Sequence, residues 1–90
     1  MSGKSLAGRK ALVTGGARGI GEAIATALAN AGASVMITDV LAPLGKETAA
    51  RVANAGVKTG FHTLDVTDDA QWEAAVAATV AELGGYDILI

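Results

Sequence analysis

Ninety residues, 51% of them apolar, with a formal charge of −2, make at most one globular domain: too hydrophobic for a disordered chain, and without the basic run that would steer it to nucleic acid or an anionic membrane. There is no cysteine, which removes disulfides, a thiolate nucleophile and a cysteine zinc site, and suits a reducing, cytoplasmic setting. The apolar stretch after Lys4, Arg9 and Lys10 breaks at Thr14 and Gly15, so no secretory leader is predicted, and no segment approaches the roughly 18 apolar residues of a membrane span.

Residues 10–14 read as a short buried strand, bounded by charge before and glycine after. Thr14-Gly15-Gly16-Ala17-Arg18-Gly19-Ile20-Gly21 then places four glycines within seven positions. A segment that only turns needs one or two residues at positive φ, so this density predicts a close approach to the backbone itself, and the candidate is a phosphate. From Ile20 the apolar residues recur at Ile24, Ala27, Leu28 and Ala31, the spacing of one helical face, and Gly32 marks a stop. Ser34 to Thr38 is a second strand ending at Asp39, with a continuous apolar centre suited to a sheet covered on both faces.

The cycle repeats. Pro43 fits the first turn of a helix carrying Leu44, Thr48, Val52 and Ala55 on one side and stopping at Gly56. Lys58 to Leu64 makes a third strand ending at Asp65, and a third helix starts near Thr67 or Asp68, burying Trp72, Val76, Thr79, Val80 and Leu83. Asp87-Ile88-Leu89-Ile90 opens a fourth strand. Strands alternating with long helices predict right-handed crossovers and a doubly wound, parallel α/β sheet of the Rossmann type. An apolar strand at Ile90 with no partner on its far side adds the expectation that residues 1–90 are the N-terminal βαβαβαβ part of a single nucleotide-binding domain.

The glycine loop is not a Walker loop, because Gly16 and Gly21 have the gap but Glu22-Ala23 replace the lysine and the magnesium hydroxyl. It is not G-x-G-x-x-G either; Gly15, Gly19 and Gly21 read G-x-x-x-G-x-G. Thr-Gly-x-x-x-Gly-Ile-Gly on a first strand-to-helix turn resembles the short-chain dehydrogenase/reductase family. The resemblance covers the whole chain: Asp39 at the end of strand two, Asp65-Val66 after strand three, and Gly85-Tyr86-Asp87-Ile88-Leu89-Ile90, which is similar to the family's Gly-x-Asp-x-Leu-Ile run.

The physical roles follow. The helix beginning near Gly19 offers free N–H groups and a partial positive charge to a pyrophosphate; Gly15 permits the sharp turn, and Gly19 and Gly21 let ligand and sheet come close. Asp39, 18 residues beyond Gly21, is near the spacing at which a carboxylate accepts from the adenosine ribose hydroxyls. Asp65 can accept from the adenine amino group, with Val66 beside the ring. The resemblance implies cofactor contacts from Gly15, Ala17, Arg18, Gly19, Ile20 and Gly21 on the loop, from Asp39 and Val40, and from Asp65 and Val66. It further implies hydride transfer between a nicotinamide cofactor and a small alcohol or ketone, assembly as a homodimer or homotetramer, and no nucleic-acid or membrane partner. The family's acid/base tyrosine, in Tyr-x-x-x-Lys, matches nothing here: Tyr86 has Ile90 four residues on, so no catalytic residue is assigned.

Between cofactors, NAD is expected. Asp39 against a 2′-phosphate about 5 Å away, at an effective dielectric near 20, opposes NADP by roughly 3 kcal/mol per unit charge. Arg18 argues the other way, since a basic residue before the second glycine goes with NADP in the family, but it can also pair with Asp39 or lie along the adenine. No basic residue at Val40 or Leu41 completes a phosphate clamp. Blander readings stand beside these: Asp65 as a helix-starting turn residue, His62 as a structural histidine, Trp72 as packing. A non-catalytic NAD-binding module is the alternative from another class, and a flavin or S-adenosylmethionine site a third.

Overall fold

The computed structural model describes residues 5–90. Its elements in chain order are β1 (Lys10–Thr14), α1 (Gly19–Asn30), β2 (Ser34–Asp39), α2 (Ala42–Val52) with a 3-10 turn over Ala53–Ala55, β3 (Thr59–Thr63), α3 (Asp69–Leu83) and β4 (Ile88–Leu89). The four strands are all parallel in the order β3-β2-β1-β4. This is the predicted doubly wound α/β sheet, with the order reversing about β1, where such sheets place their ligand crevice.

The apolar runs of β1 and β2 are continuous because both faces of the sheet are covered. Val13, Val35 and Ile37 point to α1 and α2, where they meet Ala25, Ala29, Ala49 and Val52; Leu12 and Met36 point to α3, where they meet Leu83 and the partly buried Trp72 and Val76. Leu12, Val13, Val35, Met36 and Ile37 are completely buried. Burial of a side chain of this size contributes roughly 1.5–3 kcal/mol, so these five anchor both layers.

All three helical faces differ in part from the sequence expectation. In α1 the residues against the sheet are Ala25 and Ala29 with Leu28, while Ile20 is 81% exposed. Alanines let the helix axis approach the strands, and Ile20, in the first turn, projects beyond the sheet edge. In α3 the buried face is Ala75, Thr79 and Leu83, and Val80, one residue and about 100° round from Thr79, is 48% exposed. The Thr79 hydroxyl is buried at no polar cost because it donates to the Ala75 carbonyl at 2.7 Å. On α2, Gly45 and not Leu44 sits nearest the sheet: a β-carbon there would overlap the Phe61 ring, with Cζ 2.7 Å away.

Parallel pairing brings every strand's carboxyl end to one edge. The register sets Thr14 beside Thr38 and Asp39 beside Thr63, so the segments after β1, β2 and β3 emerge side by side. Three bonds run between these strand ends: Thr38 Oγ1 donates to the Val13 carbonyl at 2.8 Å, the Gly16 N–H to the Thr38 carbonyl at 3.0 Å, and the Leu64 N–H to the Asp39 carbonyl at 3.0 Å.

Candidate functional site

The glycine loop turns at Gly15 (φ +62°) and enters α1 at Gly19 (φ +63°), a left-handed backbone that an L side chain adopts at a cost of about 1–2 kcal/mol. Gly21 is required by packing: a β-carbon there would overlap the Gly15 carbonyl oxygen and lie 2.7 Å from its carbonyl carbon, so the first turn of the helix rests directly on the loop. A β-carbon on Gly19, by contrast, would meet nothing within 4 Å. Arg18 is the N-cap, extended at φ −158°, and its side chain makes no cap hydrogen bond. The first turn therefore carries no side-chain cap, and its N–H groups and partial positive charge face the edge.

Asp39 is bound into this loop. Its Oδ2 accepts from the Ala17 N–H at 3.2 Å and its Oδ1 from the Leu41 N–H at 3.1 Å, so one carboxylate ties the glycine loop to the β2–α2 connection. Among the described residues the ion pair is Arg51–Glu22, at 2.9 Å; Arg18 is exposed and does not pair with Asp39.

Asp65 heads the third connection. Its Oδ1 accepts from the Thr67 N–H at 2.9 Å and the Thr67 hydroxyl at 2.7 Å, and these two bonds, the hydroxyl's first, hold its carboxyl below the ordinary aspartate range. The turn reading of this residue is thus realised, and the same bonds leave the carboxylate ionised at the edge. Asp68, one of the two caps the sequence offers, accepts from the Gln71 N–H at 3.1 Å and starts α3. His62 Nδ1 lies 2.8 Å from the Thr63 carbonyl oxygen, a local backbone contact.

Ile20 in the first turn of α1, Val40 on the β2–α2 connection and Val66 on the β3–α3 connection are 81%, 60% and 54% exposed. The edge thus alternates donors and carboxylates (the first turn of α1, Asp39, Asp65) with exposed apolar side chains. Of the predicted contact residues, Gly15, Ala17, Arg18, Val40, Asp65 and Val66 lie on the connections after β1, β2 and β3, Gly19, Ile20 and Gly21 form the first turn of α1, and Asp39 is the last residue of β2. Ala17 is fully buried, so it takes part through its backbone and through the loop shape it sets.

Four residues of the surroundings were not foreseen. Thr48 donates its hydroxyl to the Ala17 carbonyl, Arg51 reaches both Thr48 and Glu22, Gln71 Oε1 accepts the Asp65 N–H at 2.7 Å, and Trp72 Nε1 donates to the Val66 carbonyl at 2.8 Å. Helical periodicity marks Thr48 and Trp72 as core-facing; it says nothing about which distant backbone atom each one holds.

A family model described as short chain dehydrogenase matches residues 9–90. The chain is 45% identical over 84 residues to a 2,5-dichloro-2,5-cyclohexadiene-1,4-diol dehydrogenase of Sphingobium indicum, covering 93% of this chain and 34% of that protein. It is 44% identical over 90 residues to a 3-alpha-(or 20-beta)-hydroxysteroid dehydrogenase of Mycobacterium tuberculosis, covering 100% of this chain and 33% of that one. Among solved structures, a dehydrogenase/reductase from Sinorhizobium meliloti superposes with a TM-score of 0.89 at 44% identity, covering 94% of this chain and 34% of that chain. A hydroxysteroid dehydrogenase from Escherichia coli gives 0.89 at 32% identity, covering 93% and 36%. The chain spans about a third of the length of the curated relatives it matches.

Proposed function

The chain belongs to the short-chain dehydrogenase family, and from that premise we propose that its carboxyl edge is the seat of a nicotinamide dinucleotide, NAD in preference to NADP, in an oxidoreductase acting on a small alcohol or ketone. The observation that carries this reading is the Asp39 clip. A carboxylate held by two backbone N–H groups beside the uncapped first turn of α1 is oriented before any ligand arrives.

The residues present fit the ligand. The first turn of α1 can bind the pyrophosphate, Asp39 can accept from the adenosine ribose hydroxyls, and Asp65 can accept from the adenine amino group, with Val40 and Val66 against the ring. Arg18, exposed and free of Asp39, can reach along the same side. When bound, the nicotinamide supplies the hydride chemistry. What these residues contribute is binding and orientation, and a negative charge where a 2′-phosphate would have to lie.

Acid/base chemistry is assigned to none of them. Tyr86 precedes β4 and so stands at the amino edge of the sheet, opposite the glycine loop, with Ile90 four residues on where a lysine would be needed. On this reading residues 1–90 are the cofactor-binding part of one Rossmann domain, in a protein that works as a dimer or tetramer in the cytoplasm. Among the described residues no helix is long and apolar enough to cross a membrane. The substrate class draws support from the relatives, whose names give dehydrogenation of a cyclic diol and of hydroxysteroids. Dissociation constants for NAD and NADP, measured side by side, test the proposal; equal or tighter NADP binding overturns it.

A further inference from the structure

Glu22 lies in the first turn of α1, where a carboxylate favours the helix but opposes an anion at the same terminus. Arg51 stands across from it on α2, with Nη2 2.9 Å from Glu22 Oε2 and 3.0 Å from Thr48 Oγ1. The arrangement fixes the polarity of the Thr48 hydroxyl. It accepts from Arg51, so its proton goes to the Ala17 carbonyl, and Thr48 is completely buried. Ala17 is therefore held at its N–H by Asp39 and at its carbonyl by Thr48, so the peptide groups on both sides of it are fixed immediately before the Arg18 N-cap.

We propose that Thr48 and Arg51 are positioning residues for the anion seat: Thr48 fixes the loop through Ala17, and Arg51 cancels the charge of Glu22 so that the first turn of α1 can accept a pyrophosphate. This rests on the dinucleotide reading above and extends it to α2, a helix that contributes no residue to the cofactor contacts. Binding should then depend on the charge of the ligand as well as on loop shape. A unit charge acting over roughly 8–10 Å, between the near-surface and bulk-water dielectric limits and partly screened by salt, changes affinity about three- to tenfold.

The test uses the full chain with ADP-ribose as the anionic probe and adenosine as the neutral one, both by calorimetry. Arg51→Ala should weaken ADP-ribose about three- to tenfold and adenosine by less than about twofold, and added salt should shrink the difference. Glu22→Gln in the same chain should restore ADP-ribose to within about twofold of the parent, and Arg51→Lys, which keeps the charge, should stay equally close. Thr48→Val should weaken both probes alike, with no rescue by Glu22→Gln. Equal loss of both probes in Arg51→Ala, or no rescue by Glu22→Gln, overturns the charge role of Arg51; unchanged affinities in Thr48→Val overturn the loop role of Thr48. A parent chain that binds neither probe contradicts the dinucleotide reading itself, an outcome distinct from either.

Discussion

The Asp39 carboxylate and the Ala17 N–H are 3.2 Å apart, across a sequence distance of 22 residues. The contact holds the glycine loop, the proposed dinucleotide seat adds recognition of a ribose, and substitutions separate the two tasks. Asp39→Ala removes the negative charge and the clip together, so it should narrow the preference for NAD over NADP at least about tenfold and also weaken NAD. Asp39→Asn keeps an oxygen that can accept from Ala17, so it should narrow the preference with a smaller loss of NAD affinity. Titration of the three proteins with both cofactors checks this; an unchanged preference in both variants contradicts it.

Gly21 and Gly19 are required for different reasons. Gly21→Ala puts a carbon into the Gly15 carbonyl, so the loop and α1 must separate, and a stability loss of about 1–3 kcal/mol is expected from urea midpoints. Gly19→Val meets open space but is strained at φ +63°, and it adds bulk where the ligand must come close. It should lower NAD affinity in a chain that still folds; unaltered affinity contradicts the close approach.

The Asp65–Thr67 turn has a pH signature. Its bonds depress the folded carboxyl, so the stability they contribute is present above the unfolded value near 4 and is lost as pH falls through the lower folded value. Thr67→Val removes the hydroxyl bond, the larger cause, and should move the Asp65 titration upward toward the ordinary value. Carbon-detected NMR titration of the Asp65 carboxyl reads this directly. No movement on substitution contradicts the assignment.

Much of this was legible because the strands are short and unambiguous. Leu12-Val13 and Val35-Met36-Ile37 are apolar at consecutive positions, which a strand does only when both faces are covered, and parallel pairing then brings their carboxyl ends together. The helices were harder. A large Ile20 weighs more in a periodic reading than Ala25 or Ala29, yet close packing on a sheet selects the small residues and leaves the large one at the rim. Arg51 gave no signal, and Thr48 was legible only as an inward-facing residue, since the Ala17 carbonyl that it holds lies 31 residues upstream. Periodicity reports that a side chain faces inward, and tertiary placement alone decides what it touches.

The proposal that none of this chain's residues is the acid/base group can also be tested. Residues 1–90 by themselves should form no NADH from any alcohol, since Tyr86, at the wrong edge and without a lysine partner, cannot serve as the acid/base group. Turnover by these residues alone, lost on Tyr86→Phe, contradicts that assignment.

The most direct test of the dinucleotide seat is an amide-resolved NMR titration of the full chain with NAD and, separately, NADP. The account predicts that NAD moves the amides of Gly15 to Gly21, Asp39-Val40 and Asp65-Val66 together, on one saturation curve, and that NADP needs at least about tenfold more ligand to reach the same point. Shifts confined to another face of the sheet, or NADP saturating the same amides at equal or lower concentration, would contradict it.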